Sequence, residues 1–258
     1  MTAGMKTEMP AEMPIEMDVQ EDMMKKRLVT SMMALMGCAV LAVSALALSG
    51  CSSKDSSAGS SAGNEAEQAG DAEQTGYTTF NADDLTGAYD ISGDDLVYVA
   101  IDVEDYGTIT VALDQTVAPL TVENFVTLAE EGFYDGLTFH RIMEGFMIQG
   151  GDPNGNGSGG SDEYIKGEFE ANGVENPITH VRGAISMARA YDNDSASSQF
   201  FIMQADASYL DGQYAGFGYV TDGMDVVDQI CADAEPTDDN GTIEADKQPV
   251  ITTIRVLE

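Results

Sequence analysis

Short runs of strand-forming residues recur from Leu96 to Val256, and they constrain the fold more than any other feature of the sequence. Leu96–Ile101 and Thr108–Leu113 flank a turn at residues 105–107, which predicts a β-hairpin. Val250–Val256 predicts a further strand. Because short strands bury their apolar faces only by packing together, the sequence predicts one mainly β domain over residues 96–258.

Two helices are predicted within this strand-rich region. The first begins near Pro119, which suits a first-turn position, and ends before Gly132. Its apolar residues fall on one face: Val122, Phe125, Val126 and Ala129. The second spans Met224–Ile230, where apolar residues recur at helical spacing. Many short strands with only two helices indicate a closed or nearly closed β-structure.

The N-terminal part of the chain has the pattern of an export signal. Basic residues at positions 25–27 precede a charge-free apolar run, Leu28–Gly50. A buried helix or a retained membrane-spanning helix is the alternative, because the run is long enough to cross a bilayer. The run ends in Leu-Ser-Gly-Cys, which resembles the lipobox of bacterial lipoproteins. We therefore expect residues 23–50 to be a signal peptide and Cys51 to be lipidated, which would anchor the protein to the cell membrane outside the cytoplasm.

Composition assigns the segments around this signal. Residues 1–22 are Met-rich and acidic, the reverse of what precedes an export signal, so we predict a non-native extension and a start at Met23 or Met24. Residues 51–76 are rich in Ser, Gly, Ala and Glu without apolar periodicity, which predicts a flexible tether after Cys51. Residues 77–95 lead into the folded domain.

Charge and cysteine usage exclude several functions. The formal net charge is −34, from 45 acidic residues against 11 Lys and Arg, so no nucleic-acid partner is expected. The same acidity opposes electrostatic docking to anionic lipid and is typical of a solvated surface. Cys38, Cys51 and Cys231 lack the paired spacing of a zinc site or a disulfide framework, and Cys231 is interpreted as a small core residue.

The glycine-rich segment Asp152–Glu163 matches two ligand-binding patterns. Its glycines fit the dinucleotide fingerprint, and its Asp, Asn and Glu residues fit an EF-hand loop. The following residues, Tyr164–Phe169, are predicted to be extended, so the helix that either site requires is not indicated. A glycine-rich surface loop is the favoured interpretation, and calcium remains the alternative.

The two histidines, His140 and His180, do not indicate a hydrolase. Neither is accompanied by a serine in an elbow turn, so a catalytic triad is not predicted. His140 is interpreted as a histidine packed or hydrogen-bonded within a strand.

Four segments in order carry a family resemblance. They are FHRIMEGFMIQGGD at 139–152, RGAISMA at 182–188, SQFFIM at 198–203 and LDGQYAGFG at 210–218. From about Leu96 onward, the sequence resembles cyclophilin-type peptidyl-prolyl cis/trans isomerases. The resemblance implies a closed eight-stranded antiparallel β-barrel capped by two helices, and an enzyme that assists protein folding by isomerising X-Pro bonds.

Carried over by position, the resemblance implies a set of site residues. The catalytic residues are Arg141, Phe146 and Gln149. The substrate-binding residues are Met147, Ala188, Arg189, Gln199, Phe201, Tyr209, Leu210 and Tyr214. Strand alternation independently puts Gln199 and Phe201 on one face and Phe200 on the other. No metal or cofactor is implied, since bond rotation makes and breaks no covalent bond and a guanidinium stays protonated.

Four positions depart from the family's usual residues. Tyr209 replaces Trp, Tyr214 replaces His, Arg189 replaces Asn, and Glu144 replaces Pro. The family's drug cyclosporin is an expected ligand whose binding Tyr209 weakens, because the Trp position belongs to the drug-contact surface. The alternatives are a proline-peptide binding module of the same fold with little turnover and, from the leader and tether alone, a solute-binding lipoprotein.

Overall fold

Ten regular elements make up the part of the chain that the structure describes, residues 86–91 and 95–257 of a computed structural model. In chain order they are β1 (Leu96–Val103), β2 (Gly107–Asp114), α1 (Pro119–Glu130), β3 (Phe139–Met143), β4 (Met147–Gly150), β5 (Ala184–Met187), β6 (Phe200–Met203), β7 (Gly216–Asp222), α2 (Met224–Asp233) and β8 (Ile251–Val256). Short 3₁₀ turns lie at Glu170–Asn172, Ser208–Leu210 and Ala245–Lys247. The predicted N-terminal extension, signal peptide, lipidated Cys51 and tether lie outside the described residues, as does most of the lead-in.

The predicted hairpin and both helices are confirmed. Asp105 and Gly107 adopt the left-handed backbone that the tight turn between β1 and β2 requires. Helix α1 begins at Pro119, and residue 132 after its end has φ 70°. Helix α2 continues past Ile230 to Asp233, because Cys231 extends its buried side. Strand β8 begins one residue later than predicted, at Ile251.

The eight strands form one antiparallel sheet in the order β3-β4-β6-β5-β7-β2-β1-β8. The first strand along the chain, β1, lies beside the last, β8, and Val99 is opposite Val256. The domain is mainly β with two helices, as predicted. Its antiparallel sheet, however, is an open half-barrel, so the expectation of a closed barrel is wrong. The two edges meet at an isolated bridge between Thr138 and Val250, next to backbone hydrogen bonds from Gly136 to Ile251 and from Ile251 to Leu137. Pro249 accepts a hydrogen bond from Phe139 but has no N–H to donate, so a regular ladder cannot extend there.

The main core fills the inner face of the sheet beneath α1 and α2. Phe125 of α1 packs against Tyr134, Phe200 and Phe217, with ring centroids 5.1 to 5.3 Å apart. Cys231 is buried in the same cluster, as predicted. Among residues 86–91 and 95–257, no helix is both long and apolar enough to cross a membrane.

Candidate active site

One row of side chains crosses three neighbouring strands on the outer face of the sheet. Arg141 on β3 is directly opposite Gln149 on β4, and Gln149 is directly opposite Phe201 on β6. Residues opposite one another in an antiparallel ladder project from the same face. The strand register therefore brings the predicted cationic, amide and aromatic groups side by side. Ser186 on β5, opposite Phe201, continues the row.

A cluster of buried apolar side chains adjoins this row, and the family resemblance predicts that it is the proline pocket. Its residues belong to one buried cluster, separate from the main core: Phe146, Met147, Ala188, Phe201 and Leu210. Tyr209 and Tyr214 are half-buried at its edge. The Tyr209 ring stacks on Phe146 at 6.2 Å, and the Tyr214 ring meets Phe201 edge-on at 5.8 Å. Since Phe200 lies in the main core, the predicted division of residues 199–202 between two faces is confirmed.

The Arg141 guanidinium is oriented from two sides. Its Nε donates to the carbonyl of Asn240 at 2.8 Å, and one Nη donates to the Asn240 side-chain oxygen at 3.3 Å. From the other side, its Nη1 donates to Gln149 Oε1 at 3.2 Å. A half-buried cation held in this way has a restricted choice of rotamers, and the strand register puts it two strands from Phe201 of the apolar cluster. Asn240 was not predicted, because nothing in the local sequence connects it with a residue so far away along the chain.

Gln149 and Gln199 continue the polar contacts away from Arg141. Gln149 Nε2 donates to Gln199 Oε1 at 2.9 Å. Gln199 Nε2 in turn donates to the carbonyls of Gly157 and Gly159 in the glycine-rich segment. That segment is a loop with no helix after it, as predicted. No cluster of metal-ligating side chains is found among the described residues.

Arg189 contacts two aromatic rings and two backbone carbonyls. Its guanidinium lies 5.0 Å from the ring centre of Phe169 and 4.9 Å from that of Tyr214. Its Nε donates to the carbonyl of Gln213, and its Nη1 donates to that of Ala190. The peptide-binding role that the resemblance implies for Arg189 stays a prediction, and these contacts hold its guanidinium beside the Tyr214 ring.

A chain of three polar side chains, two of them fully buried, lies beside Phe201. His180 Nδ1 lies 2.9 Å from Asp211 Oδ1, and its Nε2 lies 3.1 Å from Ser186 Oγ. Burial raises the pKa of Asp211, but the hydrogen bonds from the side chain and backbone of His180 outweigh it and hold that pKa below its usual range. The order Ser, His, Asp matches a hydrolase triad, but Ser186 and His180 are both 0% exposed, so no substrate can reach the hydroxyl. The His180 ring stacks on Phe201 at 6.1 Å and fixes the pocket wall.

His140 is packed within β3, in agreement with its interpretation as a strand histidine. It is 3% exposed, and neither ring nitrogen has a hydrogen-bond partner. Loss of hydration lowers its pKa to about 4, which the nearby Asp152 carboxylate opposes and Arg141 reinforces. The side chain is therefore neutral at physiological pH.

An eight-stranded sheet with two helices and an arginine beside an apolar pocket defines a protein of the cyclophilin class. The model of cyclophilin-type peptidyl-prolyl cis-trans isomerases matches residues 98–256. The chain belongs to this family and is a peptidyl-prolyl cis-trans isomerase.

Similar proteins cover the same region. The chain is 44% identical over 146 residues to a peptidyl-prolyl cis-trans isomerase of Helicobacter pylori, a match that covers 55% of this chain and 87% of the relative. It is 49% identical over 123 residues to peptidyl-prolyl cis-trans isomerase B of Bacillus subtilis, covering 48% of this chain and 82% of the relative.

A solved structure has the same fold. It is a cyclophilin-type isomerase of Cryptosporidium parvum, crystallised in the presence of the dipeptide Ala-Pro. The TM-score is 0.55 at 30% identity, and the match covers 62% of this chain and 98% of that one.

Proposed function

We propose that the chain isomerises X-Pro bonds of exported proteins outside the cytoplasm, with Arg141 stabilising the twisted bond. The observation that supports this assignment best is the row Arg141, Gln149 and Phe201 beside the apolar pocket. The Ala-Pro dipeptide used with the Cryptosporidium relative agrees with a proline-sized ligand. The proline ring would lie in the pocket, with its nitrogen toward the guanidinium.

Rotation about the X-Pro bond is slow because nitrogen shares its lone pair with the carbonyl. The barrier is roughly 18 to 20 kcal/mol, and exchange takes tens to hundreds of seconds. When the bond twists, the lone pair returns to nitrogen and becomes a hydrogen-bond acceptor. A donor aimed at that nitrogen binds the transition state more strongly than either planar isomer, which is the condition for catalysis.

Arg141 is one part of the required stabilisation. Exchange in milliseconds needs roughly 6 to 7 kcal/mol of transition-state stabilisation at 1.36 kcal/mol per tenfold. One preorganised donor contributes about 2.7 to 4 kcal/mol. The pocket formed by Phe146, Met147, Phe201 and Leu210 would contribute the remainder by holding the ring while the chain before it turns.

Exchange of an X-Pro peptide, followed by NMR, tests the mechanism. Arg141→Ala should slow catalysed exchange about 100- to 1000-fold, the effect of losing one preorganised donor. Arg255→Ala is the matched control, because Arg255 is an arginine on β8 paired with Asp102 outside the site. Equal rates for wild type and Arg141→Ala would exclude the mechanism. An uncatalysed rate for wild type would instead favour the peptide-binding module.

The proposed location depends on the lipobox-like segment and Cys51. Expressed in a bacterium, the full chain should incorporate labelled fatty acid and sediment with membranes, because multiple acyl chains anchor stably. Cys51→Ser should abolish both properties, whereas Cys231→Ser, a change in the folded domain, should leave both intact. Unchanged labelling of the Cys51→Ser protein would contradict lipidation at that residue.

A further inference from the structure

The glycine-rich loop, defined here as residues 152–160, is joined to the active site by a continuous series of hydrogen bonds. We propose that Asp152 is a positioning residue that fixes this loop and thereby sets the direction of a hydrogen-bond relay ending on Arg141. The inference rests on the proposed role of Arg141 and adds the structure that orients it.

Asp152 organises the loop from its centre. The residue is 1% exposed, and its carboxylate accepts three backbone N–H groups. Oδ1 accepts from Asn154 at 2.8 Å, and Oδ2 accepts from Asn156 at 2.9 Å and Gly157 at 2.6 Å. A carboxylate is acceptor-only, so it satisfies these donors without rearrangement. The backbone of Gly159 packs closely on it, since a Cβ there would lie 2.1 Å from Asp152 Oδ1.

The fixed loop determines the orientation of Gln199. The carbonyls of Gly157 and Gly159 accept from Gln199 Nε2 at 3.1 and 2.7 Å. A primary amide has two N–H bonds, and both are used here. Because backbone carbonyls only accept, the amide nitrogen must face the loop. Gln199 Oε1 must then face Gln149.

The same logic carries the direction to Arg141. Gln199 Oε1 accepts from Gln149 Nε2 at 2.9 Å, which turns Gln149 Oε1 toward the guanidinium. That oxygen accepts from Arg141 Nη1 at 3.2 Å. If Gln149 were reversed, its N–H groups would oppose the N–H groups of Arg141. The relay therefore presents Arg141 with an acceptor and fixes the guanidinium on the side opposite Asn240.

This arrangement assigns a role to the glycine-rich segment Asp152–Glu163, whose sequence matches the patterns of nucleotide and calcium sites. Glycine is needed where the loop closes on Asp152, and the carbonyls at positions 157 and 159 must point toward Gln199. The two patterns thus arise from a loop that binds its own carboxylate internally.

Asp152→Asn tests the relay in the full-length enzyme. The change keeps the size but replaces one acceptor oxygen with an NH₂ group that opposes the backbone donors. Asp162→Asn is the matched control, because Asp162 is exposed two residues after the end of the loop and the charge change is identical. We expect Asp152→Asn to lower kcat about 10- to 100-fold, the cost of slightly misplaced catalytic groups, with KM within about twofold because the apolar pocket is intact.

The side-chain NMR signals of the substrate-free enzyme distinguish this role from a merely structural one. The Arg141 guanidinium and Gln149 amide signals should move in Asp152→Asn and stay in place in Asp162→Asn. If Asp152→Asn does not fold, Gln199→Leu serves, since leucine neither donates to the two loop carbonyls nor accepts from Gln149 but leaves Asp152 in place. The same two signals should then move.

Wild-type positions of both signals in whichever variant folds would overturn the relay. So would an equal kcat for Asp152→Asn and Asp162→Asn. The proposed function would survive either result, because it fails only if wild type does not catalyse exchange or if Arg141→Ala does not slow it.

Discussion

We propose, from the family resemblance, that Tyr209 leaves the proline site intact while weakening cyclosporin binding. Its ring stacks on Phe146, so the aromatic wall of the pocket is kept. A phenol, however, offers less apolar surface than the indole usual in the family at this position. Proline binding and drug binding at this position should therefore respond differently to substitution.

Tyr209→Trp should strengthen cyclosporin inhibition about tenfold or more, because a larger aromatic surface and an indole N–H are added. Titration of the drug against peptide exchange measures this effect. Tyr164→Trp, a change at an exposed tyrosine outside the pocket, is the control. The prediction fails if both variants have the wild-type inhibition constant while their kcat is unchanged.

At the level of elements, strands β2 and β7 approach so closely that one position on β7 has no room for a side chain. Gly218 on β7 lies opposite Leu113 on β2 and Ile185 on β5. A Cβ at Gly218 would lie 2.1 Å from the carbonyl oxygen of Ala112, which is backbone and cannot rotate away. The position therefore requires glycine for space, although its backbone conformation is ordinary.

Gly218→Ala should lower the free energy of unfolding by about 3 kcal/mol, the upper end of overpacking costs. Gly136→Ala is a useful comparison, because a Cβ there meets nothing within 4 Å while φ is +79°. It should cost only about 1 to 2 kcal/mol, the strain of a left-handed residue. Denaturant unfolding of both variants measures the difference, and equal costs would argue against the close approach.

Elements formed by neighbouring residues could be predicted from the sequence, whereas contacts between distant segments could not. The β1–β2 hairpin and α1 follow from local patterns of Val, Ile, Pro and Gly. Two contacts depend on how the strands are ordered in the sheet. They are those between Arg141 and Asn240 and between His180 and Asp211. The open edges of the sheet were missed for the same reason, since the effect of Pro249 depends on which strand lies beside it.

The candidate site could be predicted only as far as a family motif reached. The resemblance supplied Arg141, Gln149 and the pocket residues, and the strand register brings these together. The contacts of Arg189 depend on two rings that come from separate segments, Phe169 and Tyr214, so these contacts could not be foreseen. The loop carbonyls that orient Gln199 were equally hidden, because backbone groups leave no mark in a sequence.

For the molecule as a whole, His140 links stability to pH. Burial lowers its pKa to about 4 in the folded protein, against 6.5 for an ordinary histidine. Between these values the unfolded chain binds the extra proton and the folded chain does not. The free energy of unfolding therefore falls as the pH drops from about 6.5 to about 4.

His140→Leu should flatten this dependence by up to about 3 kcal/mol, at 1.36 kcal/mol per pKa unit. Urea unfolding at several pH values measures it. Carboxylates with lowered pKa values, among them Asp211 and Asp228, also lose their stabilising contribution at the acid end of this window. That loss is common to wild type and His140→Leu, so the difference between the two curves isolates His140. Parallel curves for wild type and His140→Leu would contradict the prediction.

The pairing of β1 with β8 determines when the sheet can be completed during synthesis of the chain. Because Val99 lies opposite Val256, the earliest strand of the domain has no partner on one side until the latest strand has been synthesised. The nascent domain must therefore remain incomplete throughout translation and can close its sheet only at the end. Formation of the native sheet of this isomerase thus depends on a slow, long-range pairing step.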